Sequence, residues 1–538
     1  MAEVAGRESN SRHEMSPRAA LLFPLLALLL ALRFLLPTII STRSKKHLKT
    51  RLPPSPPGLP IIGHLHLVGD RPHASLRDLA ERHGDGSGLL LLRLGAVPNL
   101  VVSSPRAAEA VMRTHDHVFA SRPQSAVLDI LLQGSMDVAF APYGDHWRQA
   151  RKLVTTHLLT VKKVKSFTHP RYHEVRLAIA KIREAAAIQA AVDMSDLLYS
   201  FTNDVVCRAV SGKFFRAEGR NQLFRELIGL NVELLDGFSV EDYFPWLAQF
   251  DLLMRVVCAK ANKLQERWHE LLDRLIDDHA NKSTNLLEDA EKEQVEETDF
   301  IDVLLSLQQE YGLNRKQMKA ILLDMFAAGT DTSYIVMEFA MAELMRNPSA
   351  MARLQAEVRT NTPEGQEMVM EENLGDMTYL KAVIKETLRL HPPVPLLLPR
   401  CSMVDCDIDG YTIPAQTRVI INTWAISRDS RFWDKAEEFV PERFMAGSTH
   451  KADFKGNDFQ FTPFGAGRRI CPGMNFGLAT VEIMLANLIY CFNWELPSGL
   501  EKEDIDITDV FGLTMRRKEK LFLVPRTYGG YHALQEQN

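Results

Sequence analysis

Apolar residues along this chain gather in long runs with helical spacing, and alternating runs are few. The first run, Ala19 to Ile40, reads AALLFPLLALLLALRFLLPTII. It is about as long as a helix that crosses a bilayer. Arg33 interrupts it near one end, where a basic side chain can reach the interface. A second run, Asn314 to Pro348, is apolar on most faces, as a helix buried through a core would be. Asn314 suits its N-cap and Pro348 its stop, giving a helix roughly 50 Å long. A third apolar run, MNFGLATVEIMLANLIYCF, follows Gly473. Strand-like pieces are limited to LLLLRLG and NLVVSS early, DIDGYTIPAQTRVIINTW later and LFLVP near the end. The pattern predicts a mainly α fold with small β-sheets.

The same pattern divides the chain. Residues 1–18 read as a tail, 19–40 as a membrane anchor, 41–65 as a basic and proline-rich hinge, and 66–538 as one catalytic domain. A cleaved signal peptide competes with the anchor. Against it, the apolar run is long and is followed by STRSKKHLKTR rather than a small-residue cleavage site. Arg43, Lys45, Lys46, Lys49 and Arg51 follow the run without an acid, which places everything after it in the cytoplasm. LPPSPPGLPIIGHL cannot be helix interior and favours a stiff spacer. LLEDAEKEQVEETD, Leu286 to Asp299, reads as a solvated acidic loop. Asn281 opens an NKS sequon that a cytoplasmic face would leave unused.

Composition narrows the classes. The net charge of -5 gives no reason to expect nucleic-acid binding. Six cysteines in 538 residues, most of them in apolar runs, make a disulfide framework a poor reading, and Cys401 with Cys406 is the one close pair.

Three stretches carry candidate chemistry. Inside the second run sits AAGTDTS, Ala327 to Ser333. An acid beside a hydroxyl can relay protons. Equally, the stretch can be a packing glycine with Ser/Thr back-bonding that bends a helix. Glu386 and Arg389, three apart, share a helix face. Apolar neighbours suggest a buried pair, for which Arg443 of FVPERF is a third partner; an ordinary surface pair is the alternative. FGAGRRICPG sets Cys471 beside Arg468 and Arg469, with Pro472 at an expected first helical position. Nearby cations and a helix N-terminus favour thiolate. No Cys-x-x-Cys and no zinc spacing accompanies it, so an axial ligand to haem iron fits best.

Phe464, Gly467, Arg469, Cys471 and Gly473 match the F-x-x-G-x-R-x-C-x-G signature of the cytochrome P-450 superfamily of haem-thiolate monooxygenases. WRQAR, AGTDTS, the Glu386/Arg389 pair and PERF stand in the family's order, and the anchor and PPSPPG hinge resemble the microsomal type. The resemblance covers essentially the whole chain. It implies that Cys471 is the iron ligand, and that Trp147, Arg151, Arg400 and Arg469 hold the propionates of haem b. Ala328 and Gly329 would line the oxygen side, where Asp331 and Thr332 deliver protons. Glu386, Arg389 and Arg443 would form a structural triad. Electrons would come from NADPH through a membrane-bound reductase, with O2 as co-substrate, at the endoplasmic reticulum membrane.

The finer resemblance, in stretches such as LPIIGHLHLVGD and KETLRLHPPVPLLLPR, is to grass enzymes that hydroxylate indole and indolin-2-one on the way to benzoxazinoids. It implies a small apolar substrate touching Val127, Leu128, Ile130, Leu131, Phe326, Ala327, Val394, Leu396, Phe511 and Leu513. Another plant metabolite or a xenobiotic is the alternative substrate. A haem-thiolate isomerase or dehydratase would have no need of the intact AGTDTS, and a non-catalytic haem sensor no use for so complete a set.

Overall fold

A computed structural model describes residues 51–236, 240–245, 252–286, 298–447 and 452–528. The expected anchor, the basic stretch before residue 51 and most of the acidic loop lie outside the described residues. The helices that position the site are α1 (Asp145–Leu153), α2 (Met194–Ser211), α3 (Arg220–Asp236), α4 (Leu252–Leu286), α5 (Arg315–Arg346), α6 (Thr378–Leu390) and α7 (Met474–Cys491).

Helix α5 is the axis of the molecule. Asn314 caps it, accepting from Gln317 N while the Gln317 side chain accepts from Asn314 N. It ends at Asn347 because Pro348 has no N–H to continue the ladder; Pro348 instead opens the next helix, Pro348–Asn361. Helices α2, α6 and α7 pack around α5. Gly329 permits the closest approach: a Cβ there would lie 2.9 Å from Val206 Cγ2 on α2. Both α5 and α7 are long and apolar enough to cross a membrane, and both are largely buried in the core.

The small sheets form where the alternating pieces stand. β1 (Leu89–Leu94) pairs antiparallel with β2 (Val97–Val102). β3 (Arg400–Cys401) and β4 (Arg418–Ile421) complete the sheet in the order β1-β2-β4-β3.

From residue 54 to 64 the proline-rich stretch lies along the edge of β1. Leu91 N donates to Pro54 O at 2.8 Å, and His64 N to Arg93 O at 2.7 Å. The His64 ring bridges Pro56 O and Arg93 N, at 2.9 and 2.8 Å. Prolines lack N–H groups but keep their carbonyls, so they can serve an edge strand as acceptors.

Candidate active site

A cavity of about 350 Å3 opens between α5, the loop before α7 and the segment before α1. Its walls are mostly apolar, but Cys471, Asp331, Thr332 and four arginines also face it. A larger cavity, about 590 Å3, lies outside it and shares Leu128, Phe140, Leu235 and Leu513. The inner one carries the chemistry, because the thiol and the cations converge there.

Glycines shape the floor. Gly467 has φ +69°, and a Cβ on it would lie 2.1 Å from Met112 O, so no other residue fits. Cys471 N donates to Phe464 O at 2.9 Å, which closes the loop. Helix α7 begins at Met474, with Gly473 as N-cap, rather than at Pro472. Burial pushes the Cys471 thiol above its ordinary value, while the Gly473 and Met474 N–H groups and the Arg151 guanidinium pull it back. The expectation that Arg468 and Arg469 polarise the thiol is therefore corrected. Arg468 is half exposed and paired with Asp116, and Arg469 is spent on carbonyls.

Four arginines ring the cavity. Arg469 donates to Ala120 O at 2.7 Å and Ala141 O at 2.6 Å, and its guanidinium lies 4.1 Å over the Trp147 ring. Arg400 holds Asp116 at 3.0 Å and Ala466 O at 2.8 Å. Arg151 donates to Ile470 O at 2.5 Å. Arg122, which the sequence reading missed, donates to Ala139 O, Leu398 O and Pro399 O. Burial lowers all four, and repulsion from neighbouring arginines adds to it at two of them: Arg469 is pushed down to about 9, and Arg122 falls well below its ordinary value. Such a surplus of buried cations is costly unless an anion joins it. A thiol on the floor and cations at the rim suit a metal macrocycle bearing carboxylates.

On α5, Ala327, Ala328, Gly329, Asp331 and Thr332 border the cavity. Thr332 Oγ1 donates back to Ala328 O at 2.8 Å, and Gly329 is a packing glycine against α2, as the packing and back-bonding reading of this stretch expects. The substrate set divides. Leu128, Leu131, Ala327, Val394 and Leu513 line the inner cavity, and Val127 the outer one. Four do not line either cavity. Phe326 is core, its ring stacked on Phe224 at 4.1 Å. Leu396 packs beside the β1–β2 sheet, Phe511 lies against His73, and Ile130 O accepts from Gln265.

Glu386 and Arg389 are fully buried. Arg389 binds Glu386 with two 2.8 Å bonds, and Arg443 Nε adds a third at 3.0 Å.

Two buried acids were also missed. Asp324 Oδ2 accepts from Val138 N at 2.7 Å and Ala139 N at 3.2 Å, and Asp137 Oδ2 from Phe140 N at 2.6 Å. Burial raises both carboxyls, Asp324 well above its ordinary value with Asp137 adding to it. The carbonyls of the strap they hold accept from Arg122, Trp147 and Arg469. An aspartate in the apolar run of α5 was the available signal.

The family model described as Cytochrome P450 matches residues 53–524. The chain is 57% identical to indole-2-monooxygenase of Zea mays, over 94% of this chain and 95% of the relative. It is 55% identical to indolin-2-one monooxygenase and 54% identical to 3-hydroxyindolin-2-one monooxygenase of the same plant, covering 91% and 90% of each relative. A zebra fish cytochrome P450 solved with abiraterone superposes with a TM-score of 0.70 at 23% identity, covering 86% of this chain and 100% of that one, a likeness of fold.

Proposed function

The chain belongs to the cytochrome P450 family, and with that as premise we propose that it hydroxylates a small apolar indole derivative, as a step of benzoxazinoid formation. As a P450 monooxygenase it works with haem, O2 and electrons from a reductase. The proposal adds NADPH as electron source, haem b, a membrane-bound reductase and an N-terminal anchor in the endoplasmic reticulum membrane with the catalytic body in the cytoplasm.

One observation carries the reading: the Cys471 thiol faces an apolar cavity rimmed by Arg122, Arg151, Arg400 and Arg469. Cys471 would ligate the iron, and the four arginines with Trp147 would meet the propionates. Haem held by the cysteine thiolate would supply O2-activating chemistry. The residues of the chain do the rest. Leu131, Ala327, Val394 and Leu513 exclude water and seat a flat neutral molecule by apolar contact. No lysine is among the cavity walls, and the arginines would be taken up by the propionates, which suits an uncharged substrate. Asp331 and Thr332 hold protons beside the cavity, where a carboxyl and a hydroxyl can pass them inward without opening it to bulk water.

The test is reconstitution of the full chain in vesicles with an NADPH-dependent P450 reductase. Indole and indolin-2-one are each offered, and NADPH use and product are measured. Substrate-dependent NADPH use with a hydroxylated product is expected from at least one. No NADPH use with either contradicts the proposal.

A further inference from the structure

Asp331 and Thr332 are neighbours in sequence but are held by different parts of the fold. Thr332 is bonded inside its own helix. Asp331 is reached from outside: Thr514 Oγ1 donates to Asp331 Oδ2, and both residues are buried. Thr514 sits on a short hairpin whose strands, Asp509–Val510 and Arg516–Arg517, pair antiparallel. The base of that hairpin is fixed. Arg71 grips Asp509 with bonds of 2.9 and 2.7 Å, and Arg517 donates to Asp506 O at 2.6 Å. Its tip is fixed as well, by Met515 N on Pro393 O at 2.7 Å, one residue before the cavity wall at Val394.

The tip therefore presents two adjacent side chains to two different tasks. Leu513 lines both the inner and the outer cavity, at the neck a substrate would pass. Thr514 holds the acid. Tyr199 and Tyr334, whose rings meet at 5.1 Å in the core, have hydroxyls raised by burial and then by the Asp331 charge, while Arg516 at the far end of the tip acts on both in the opposite sense.

We infer that Thr514 is a positioning residue for proton delivery: its hydroxyl holds the Asp331 carboxylate at the cavity wall, and a substrate packed against Leu513 steadies that hold. The inference rests on the reading of Asp331 as the proton-delivering acid. Without the hydroxyl the buried carboxylate loses a donor, and its position at the cavity wall is less closely held. Mispositioning of a catalytic group by an ångström can cost on the order of a hundredfold in rate. With Thr332 still in place the expected loss is smaller, about tenfold in product per NADPH.

The experiment compares the full chain with Thr514→Val and Thr514→Ser in reductase vesicles, using indole and indolin-2-one as probes. Product, peroxide and NADPH are measured per haem, in H2O and in D2O. The Val variant is expected to divert NADPH to peroxide and to show a larger solvent isotope effect; the Ser variant is expected to restore both. Difference infrared spectra without turnover should show a carboxylate band shifted in the Val variant, at a position that Asp331→Asn abolishes. If Val matches the parent in product per NADPH and isotope effect, or if Ser fails as badly as Val, Thr514 does not position the acid. A parent protein that uses no NADPH with either probe overturns the monooxygenase reading together with this inference.

Discussion

Among the described residues, the arginines around Glu386 and those around the cavity are finished differently. Around Glu386 every charged arm has a partner. Arg389 and Arg443 share the carboxylate, and their remaining nitrogens reach Ser427 O, Ala436 O and Asp434 O at 2.7 Å each. Val440 N completes the carboxylate at 2.8 Å. That network is closed and lies away from the cavity walls. Around the cavity, Arg122, Arg151, Arg400 and Arg469 lean mostly on carbonyls. Asp116 serves Arg400 and Arg468, while Asp137 is itself raised toward its neutral form. Cations there outnumber the anions that face them; burial lowers all four, and repulsion between them adds to it at Arg122 and Arg469. A closed network is a brace; an open one of a single sign is a receptor for the opposite charge.

The comparison can be broken at its strongest point first. Glu386→Ala leaves two guanidinium groups buried without their carboxylate, at a cost of about 3–5 kcal/mol. Folded, haem-containing protein should scarcely be recovered. Recovery at the parent level, measured by haem per mole of soluble protein, would show that the brace is not one.

Arg469→Met acts on the open network. It strands carbonyls, about 1–3 kcal/mol each where water cannot reach them, but it also removes a repelling cation. The fold, followed by circular dichroism on heating, should survive where that of Glu386→Ala does not. Haem content should drop severalfold, since a cation proposed to meet the propionates is gone. Full haem occupancy in Arg469→Met would remove it from the receptor.

Arg468→Ala gives the smallest effect. Its side chain is 48% exposed and pairs with Asp116, so about 0–1 kcal/mol is expected, with unchanged haem content. A loss equal to that of Arg469→Met would erase the distinction between the two neighbours.

That distinction marks where the sequence stops being legible. Adjacent arginines read alike in FGAGRRICPG; only the fold sends Arg469 inward over Trp147 and Arg468 outward to Asp116. The long helix, its Asn314 cap and the strand pieces were readable because periodicity and capping are local. The grouping of Arg443 with Glu386 and Arg389 was readable from the burden of a buried pair. Phe326 beside Ala327 was not. One residue turns a helix by about 100°, which carries Phe326 into the core against Phe224 and leaves Ala327 at the cavity. Leu396 and Phe511 lie in loops, where no period tells which way a side chain points, and Ile130 sits in a helix of only six residues, Ala126–Leu131. Arg122 and Asp324 escaped because main-chain partners of each lie far off in sequence. That the proline-rich stretch lies along β1 was not legible, because its carbonyls, not its missing N–H groups, decide what it can bind.

The central claim is that the cation-rimmed cavity with Cys471 on its floor is a haem-thiolate centre. The most direct measurement is the carbon monoxide difference spectrum of the reduced full chain beside that of Cys471→Ser. A serine hydroxyl stays protonated and cannot give a thiolate. The parent should show the thiolate-type band and the variant should lack it, even where some haem is retained. The same thiolate-type band in both proteins would contradict the account.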